Sequence, residues 1–255
     1  MAHYQSYYLQ GVTSVFMILF GINFSAYYLV LSRKFREAIR IEEVRLYLGV
    51  ILAFTLLIAF NVRDMFGSFF ESFHHALFQV ASIITTTGFA TVDFNLWPAF
   101  SKSLLVLLMF IGACAGSTGG GIKCSRIVLM LKSVKKEMQY LIHPRAVRVN
   151  KMDGRRVQHE VMRSVNVFLI AYLLIFAVSV LLVSLSCEDM VTNFTAVATA
   201  LNNVGPGLEL VGPVENFGFL HPLSKIVLMF DMLAGRLELF PMLLLFTPRT
   251  WLRKL

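Results

Sequence analysis

Five long apolar stretches constrain the fold of this 255-residue chain more than any other feature. Four of them contain no charged residue, and the fifth is interrupted by three. Each is long enough, or nearly so, to cross about 30 Å of hydrocarbon at roughly 1.5 Å per helical residue. The stretches are residues 12–31, 46–62, 103–122, 164–186 and 226–246.

The overall composition excludes most soluble classes. Hydrophobic residues make up 57% of the chain and charged residues only 15%, against roughly 45–50% and 25% in a typical soluble domain. A soluble chain of this size cannot bury several wholly apolar helices. Disordered and collagen-like proteins are excluded by the same values. The composition therefore predicts an all-α polytopic membrane protein.

The basic residues indicate the orientation in the membrane. The net charge is +8, and 19 of the 23 Lys and Arg residues fall in residues 33–45, 123–163 and 249–254. The loops between these segments carry mainly acidic residues. Because cytoplasmic loops of membrane proteins are enriched in Lys and Arg, we place these basic segments in the cytoplasm. The positive charge thus indicates the topology of a membrane protein, and we expect no nucleic-acid partner. The basic segment at 123–163 is suited to bind anionic lipid or a cytosolic protein.

Two shorter apolar segments, residues 69–84 and 193–201, predict re-entrant helices. Each ends in a polar turn instead of continuing across the membrane. Backbone without helical hydrogen bonds must face protein or water at this depth, since lipid cannot satisfy it. The first polar turn comprises Thr85, Thr86, Thr87 and Gly88, and the second comprises Asn202, Asn203, Val204 and Gly205.

The two turns belong to an internal repeat. They align at an offset of 117 residues, and the spans that follow them align at an offset of 123, with the six-residue difference in the loop around residues 209–219. Each unit is a span, a re-entrant helix, a polar turn and a second span. We divide the chain into four parts. Residues 1–45 are the closing span of a preceding unit with a cytoplasmic linker, and residues 137–163 are a basic cytoplasmic linker. Residues 46–136 and 164–255 are pore units: the first has a filter at 85–89 and a broken gating helix at 103–136, and the second has a filter at 202–206.

The polar turns carry the chemistry of a cation path. Main-chain carbonyl groups can replace the hydration shell of a cation without a fixed charge. We expect extended backbone at Thr86 and Thr87, with Gly88 free to adopt unusual φ values. The partly negative carboxyl end of each re-entrant helix favours a cation at the membrane centre. The alternative is that these residues only cap helices, since Thr or Asn before Gly ends many of them.

A glycine-rich segment interrupts the span at 103–122. Three consecutive glycines each destabilise a helix by about 1 kcal/mol relative to Ala, so the helix should break within the membrane. A flexible segment beneath a filter predicts a gate. One alternative is a phosphate-binding loop, but its motif requires adjacent Gly and Lys, and here Ile122 separates Gly121 from Lys123. Another alternative is close helix packing through Gly112 and Gly116. The segment, called the glycine loop below, spans residues 112–121 and includes Gly112, Gly116, Ser117, Thr118, Gly119, Gly120 and Gly121.

Three charges lie within the last span. Asp231, Arg236 and Glu238 are spaced poorly for pairing along one helix, and charges within a span face the bundle interior. We predict that Arg236 reaches the carbonyl groups of the glycine loop and repels a passing ion; a structural tie between helices is the alternative. The three cysteines, Cys114, Cys124 and Cys187, lack metal spacing and are interpreted as small apolar residues. No function is assigned to any histidine.

These motifs together resemble the Trk/Ktr/HKT superfamily of potassium transporters, and in particular its bacterial Trk-type potassium uptake membrane subunits. The motifs are TTTGF at 85–89, GSTGGGIK at 116–123, NNVGPG at 202–207 and GRLE at 235–238. The resemblance implies four pore units around one path, with the first and second polar turns forming its third and fourth quarters. It further implies that residues 112–121 form the gate and that Arg236 contacts it. The implied cargo is K⁺, with no covalent cofactor. The implied location is the bacterial inner membrane, and the implied partner is a cytosolic nucleotide-binding protein with RCK domains.

The chain departs from the superfamily pattern in length. The first unit and most of the second have no counterpart, and two quarters cannot enclose an ion. We therefore expect a C-terminal half that requires a missing N-terminal half or a second copy. The leading hypothesis is transport of potassium, with sodium as the other candidate ion. The alternatives are a non-conducting subunit that only associates with partner chains and, more remotely, a membrane enzyme, for which no nucleophile–base pair is visible.

Overall fold

The computed structural model describes residues 3–4, 6–143, 149–185, 189–237 and 239–245. Over these residues the chain is mostly helical. The helices are α1 (Tyr7–Phe20), α2 (Phe24–Leu31), α3 (Phe35–Arg40), α4 (Glu42–Asn61), α5 (Phe69–Ile84), α6 (Ala99–Phe110), α7 (Cys124–Ile142), α8 (His159–Ser184), α9 (Met190–Asn202), α10 (Pro222–Arg236) and α11 (Leu239–Leu245). One antiparallel hairpin pairs β1 (Lys151–Met152) with β2 (Arg155–Arg156).

Among the described helices, α4 and α8 are each long and apolar enough to cross a membrane alone, with 20 and 26 residues. Helices α1 and α2 meet the same criterion only as a pair, and they bend by 95° at the break between them. The sequence predicted one span over residues 12–31. The bend occurs beside Gly21, where an added Cβ would lie 2.1 Å from the hydroxyl oxygen of Tyr47, and Asn23 caps the new helix by accepting the N–H of Ser25 at 2.7 Å.

The surface of α8 is suited to lipid. Leu173, Leu174 and Leu181 are 53%, 62% and 70% exposed, respectively, along the same helix. A soluble monomer rarely exposes a continuous apolar surface of this extent. Hydrocarbon can cover it without cost, so the exposed face supports the membrane location that the composition predicted.

The two re-entrant helices are the most deeply enclosed elements. Helix α5 packs against α4, and α9 packs between α8 and α10. Each begins at a polar cap: Ser68 accepts the N–H of Glu71 at 3.2 Å, and Asp189 accepts the N–H of Val191 at 3.0 Å. All residues in 78–84 and in 195–202 are buried. Both helices therefore run from a polar entrance into the middle of the bundle and end there.

The two repeated units are joined through aromatic packing. Phe110, the last residue of α6, lies with its ring centroid 5.4 Å from that of Phe176 in α8 and 6.2 Å from that of Phe194 in α9. Phe176 and Phe194 also contact each other edge to face at 5.1 Å. Aromatic pairs in this geometry stabilise a core beyond the area they bury. The packing fixes the position of the first unit's broken span relative to the second unit.

The described part of the basic linker is attached to the first unit. Asp153, between β1 and β2, accepts the first N–H of α4, from Glu42, at 2.8 Å. Lys132 of α7 forms an ion pair with Glu42 and donates to the carbonyl oxygen of Lys151 at 2.6 Å. The hairpin therefore provides the N-terminal cap that α4 lacks in its own sequence.

Candidate functional site

The first polar turn ends α5 with a left-handed residue. Thr86 has φ +56°, and the following N–H of Thr87 donates back to the carbonyl oxygen of Ser82 at 2.9 Å. The extended backbone expected at Thr86 is therefore wrong, because the helix closes with a 6→1 hydrogen bond that requires positive φ at this residue. Such a conformation costs a β-branched residue free energy, and it persists only where surrounding contacts enforce it.

The second polar turn repeats this geometry. Asn203 also has φ +56°, and the N–H of Val204 donates to the carbonyl oxygen of Thr199 at 2.9 Å. Thr86 and Asn203 correspond at the offset of 117 residues found in the sequence. Asn202 is the last residue of α9 and not part of an extended peptide. Both turns are thus helix caps, and because they end buried helices, the chain that follows each cap stays in the bundle interior.

The two turns touch each other. A Cβ added to Gly88 would lie 2.6 Å from the carbonyl oxygen of Val204, and a Cβ added to Gly205 would lie 3.6 Å from the Cα of Gly88. Both glycines have positive φ, +78° and +110°. A cavity of about 510 Å³ is lined by Thr86, Thr87, Asn203, Val204 and Gly205 of the two turns, together with Lys225 and mainly apolar side chains of α10. The two repeated units therefore present their turns to one shared space.

The side chains of the turns are largely engaged with their own units. Tyr172 of α8 donates its hydroxyl to Oδ1 of Asn202 at 3.0 Å, and Nδ2 of Asn202 donates to the carbonyl oxygen of Ala198 at 2.8 Å. The hydroxyl of Thr85 donates to the carbonyl oxygen of Ala81 at 2.7 Å. Because these polar atoms are satisfied locally, main-chain carbonyl groups are the atoms that the turns can offer to a cation.

The glycine loop lies directly against both turns. The helix breaks after Phe110 and resumes at Cys124. A Cβ added to Gly120 would lie 2.6 Å from the carbonyl oxygen of Asn202, and one added to Gly119 would lie 3.4 Å from that of Thr85. The N–H of Gly120 donates to the hydroxyl of Thr86 at 2.8 Å. Glycine permits this approach of backbone to backbone, and side chains here would separate the loop from the turns.

The ends of the loop are closed on each other. The N–H of Gly112 donates to the carbonyl oxygen of Ile122 at 2.8 Å, and the N–H of Cys124 donates to that of Ala113 at 3.2 Å. Gly116 and Gly121 within the loop have φ values of +68° and +69°. The loop therefore leaves and re-enters the helical path at almost the same point.

Two cations hold the tip of the loop. Arg236, the last residue of α10, donates from Nη1 to the carbonyl oxygen of Thr118 at 3.1 Å. Lys123 donates from Nζ to the carbonyl oxygen of Gly119. A second cavity, of about 370 Å³, is lined by residues 116–121 together with Lys123, Arg126 and Arg236. Three of its lining side chains are therefore positively charged.

The break between α1 and α2 contacts the same loop. The N–H of Cys114 donates to the carbonyl oxygen of Gly21 at 3.0 Å, and the hydroxyl of Thr118 donates to the carbonyl oxygen of Phe20 at 3.4 Å. Ser117 donates its hydroxyl back to the carbonyl oxygen of Cys114 at 2.6 Å. The loop is therefore held between the ends of two other broken helices, α1 and α10.

The other residues singled out in the sequence make different contacts where the structure describes them. Asp231 is fully buried and accepts the hydroxyl of Ser179 at 2.8 Å, so it serves a different contact from Arg236. Glu238 and Cys187 lie outside the described residues. Cys114 and Cys124 are buried and unpaired. Within the described ranges, no group of three His, Cys, Asp or Glu side chains is arranged to hold a metal ion.

The sequence reasoning missed one residue at the site. Glu43, in the first turn of α4, is only 3% exposed and accepts two N–H groups of the glycine-loop region. The available signal was a pair of adjacent glutamates at the start of a span, Glu42 and Glu43. Spacing alone does not reveal that one of them enters the bundle interior.

The fold and the site define a class: a helical membrane protein of repeated span, re-entrant helix and span units whose turns meet at one cavity beside a broken-helix loop. The chain belongs to the TrkH family of cation transport proteins, which matches residues 1–253. This confirms the family resemblance and the fold class deduced from the sequence.

The relatives agree in name and in fold. The chain is 37% identical to the "Trk system potassium uptake protein TrkH" of Salmonella typhimurium, over 98% of this chain and 52% of that protein. It is 34% identical to the TrkG protein of Escherichia coli over the same shares. The crystal structure of the potassium transporter TrkH from Vibrio parahaemolyticus superimposes with a TM-score of 0.90 at 36% identity, covering 98% of this chain and 54% of that one. The chain thus spans about half the length of the curated relatives it matches.

Proposed function

We propose that this chain supplies two of the four quarters of a transmembrane potassium path, with the first and second polar turns as its part of the filter. The observation that carries the proposal is the contact between the turns, where Gly88 lies against the carbonyl oxygen of Val204. Two segments 117 residues apart in the chain share one cavity at the ends of two buried helices. This arrangement is suited to a small ion that is bound from several sides.

The electrostatics of the turns favour a cation. The carboxyl ends of α5 and α9 both terminate at the cavity, and each helix end carries a partial negative charge. Carbonyl oxygens bind alkali ions while still allowing them to leave. Potassium is the proposed cargo because the relatives are named as potassium uptake proteins; sodium is the other candidate. No covalent cofactor and no catalytic role are part of this proposal.

Half of the enclosure is proposed to come from another polypeptide segment. Two turns contact one side of the cavity, and a dehydrated ion needs ligands around it. An N-terminal half would complete the path, and a second copy of this chain is the alternative. A non-conducting subunit is the second candidate function, favoured by the chain's coverage of only 52% of the relatives.

Rubidium uptake in potassium-starved cells that lack their own uptake systems tests the proposal. This chain should give no growth rescue alone. It should restore growth and rubidium uptake when co-expressed with the first half of Vibrio parahaemolyticus TrkH, a pair called the assembled protein below. Rescue by the chain alone would refute the need for a second half. Membrane-inserted assembled protein without any uptake would favour the non-conducting subunit.

The glycine loop is proposed to gate this path. It contacts both turns through Gly119 and Gly120, and Arg236 holds its tip at Thr118. Replacing Arg236 with alanine should raise basal rubidium uptake by the assembled protein roughly threefold to tenfold, since a charge-assisted hydrogen bond no longer retains the loop. Arg63→Ala, which removes an exposed arginine near Asp64, should leave uptake unchanged. Equal or lower uptake in Arg236→Ala would contradict a retaining role.

The partners are proposed from the charge of the cytoplasmic face. Helix α7 and the linker hairpin present Lys135, Lys136 and Lys151 around one surface cavity. Basic groups near a membrane bind anionic lipid headgroups. The family resemblance adds a nucleotide-binding RCK subunit as the cytosolic partner, which would reach the glycine loop through α7.

A further inference from the structure

One carboxylate oxygen bridges the two ends of the glycine-loop region. Oε1 of Glu43 accepts the N–H of Ala115 at 2.5 Å and the N–H of Ser125 at 2.9 Å. These two N–H groups are ten residues apart in the chain and flank the whole tip of the loop. Glu43 itself belongs to α4, which is the first span of the unit and is not part of the loop.

The position of this oxygen has a clear physical basis. Helix α7 begins at Cys124, and its N-cap residue, Lys123, makes no side-chain cap bond. The first N–H groups of a helix need external acceptors, and the positive end of the helix dipole favours a carboxylate. Glu43 provides both from a neighbouring helix, at 3% exposure, where water cannot replace it.

We propose that Glu43 is a positioning residue that fixes the base of the glycine loop, so that gating motion is confined to residues 116–121. The proposal rests on the gating function above and goes beyond it by separating a fixed base from a movable tip. Glu43 holds the base at Ala115 and Ser125, in addition to the main-chain hydrogen bonds that join its two ends. The tip is held by Arg236 at Thr118, a contact that faces the cavity and can be exchanged.

The chain contains two internal reporters for this base. Cys114 and Cys124 are fully buried, and each precedes a residue whose N–H is bound by Glu43. In a Cys187→Ser background of the full chain in membranes, the rate of modification by N-ethylmaleimide reports how often the base opens. Glu43→Ala should raise the modification rate of both thiols about tenfold or more, since a buried charge-assisted contact is lost.

Conservative variants distinguish this role from general packing. Glu43→Gln keeps an acceptor oxygen at the same reach and should retain most of the protection. Glu43→Asp keeps the charge but is one methylene too short to bridge both N–H groups, so its thiols should react faster than in the wild type. Glu43→Asp also serves as the test if Glu43→Ala fails to insert into the membrane.

Matched controls separate the base from its surroundings. Glu42→Gln changes the adjacent glutamate, which contacts Lys132 instead of the loop, and should leave both thiols protected. Arg236→Ala loosens only the tip and should also leave them protected. Thiols that remain as protected in Glu43→Ala and Glu43→Asp as in the wild type would overturn the proposal, as would equal acceleration in Glu42→Gln.

Uptake provides an independent readout. Glu43→Asp should raise basal rubidium uptake by the assembled protein severalfold, because a loosened base lets the loop leave the turns. Faster thiol modification without any change in uptake would overturn the link between base and gating. If the wild-type assembled protein takes up no rubidium, the proposed function fails, while the thiol rates still decide whether Glu43 holds the base.

Discussion

Replacing Gly88 with alanine should reduce rubidium uptake by the assembled protein at least about tenfold, because two effects add at one position. The added Cβ would lie 2.6 Å from the carbonyl oxygen of Val204, a distance that real Cβ atoms do not adopt. The residue also has φ +78°, which costs an L-residue about 1–2 kcal/mol. Relief of the overlap must turn or displace the Val204 carbonyl group, which is one of the proposed ligands.

The control for Gly88→Ala is Gly154→Ala. Gly154 has nearly the same φ, +79°, but nothing lies within 4 Å of an added Cβ, and it belongs to the linker hairpin. It therefore carries the conformational cost without the contact between turns. Membrane levels of both variants are compared by immunoblot, so that uptake is expressed per inserted protein. Uptake by Gly88→Ala at the level of Gly154→Ala would contradict the assignment of the turns to the filter.

Replacing Gly235 with alanine should lower the thermal stability of the purified chain strongly, although alanine is the better helix former by about 1 kcal/mol. Gly235 lies in α10 where that helix crosses the end of α9. An added Cβ would lie 1.8 Å from the carbonyl oxygen of Leu201 and 2.9 Å from Nδ2 of Asn203. The two helices must separate to admit it, at a cost of about 1–3 kcal/mol or more for overpacking.

The same substitution in another helix supplies the comparison. Gly49 lies in α4, has no atom within 4 Å of an added Cβ and is exposed. Gly49→Ala should therefore leave stability unchanged or raise it slightly. The melting temperatures of both variants are measured in detergent, from the fraction of protein that stays monodisperse on size-exclusion chromatography after heating. If Gly235→Ala melted at or above the temperature of Gly49→Ala, the close crossing of α10 over α9 would be refuted.

The helices α4 and α8, each able to cross a membrane alone, follow from the sequence because apolar length decides them. The stretch at 164–186 has no charge and no glycine, and its residues up to Ser184 lie in the 26-residue helix α8. Three consecutive glycines at 119–121 indicate a break, and the helix is interrupted there, between Phe110 and Cys124. Both inferences depend on local properties of a segment, which a sequence displays completely.

Features that depend on a distant neighbour could not be read in the same way. The bend after α1 is associated with Tyr47, 26 positions along the chain from Gly21, and the local cap residues Gly21 and Asn23 do not by themselves set its angle. The left-handed φ of Thr86 contradicts the preference of a β-branched residue. It is accompanied by a hydrogen bond in which the N–H of Gly120 donates to the Thr86 hydroxyl. Glu43 looks like an ordinary first-turn glutamate until its two loop partners are known. In each case tertiary contacts override the local preference.

Thallium is the probe that locates the ion itself, because it resembles potassium in size and scatters anomalously. Crystals of the assembled protein grown in thallium nitrate should show an anomalous peak in the cavity shared by the two turns, within coordinating distance of carbonyl oxygens from both residues 85–88 and residues 202–205. A peak elsewhere in the bundle, with none beside either turn, would contradict the assignment of these turns to the cation path.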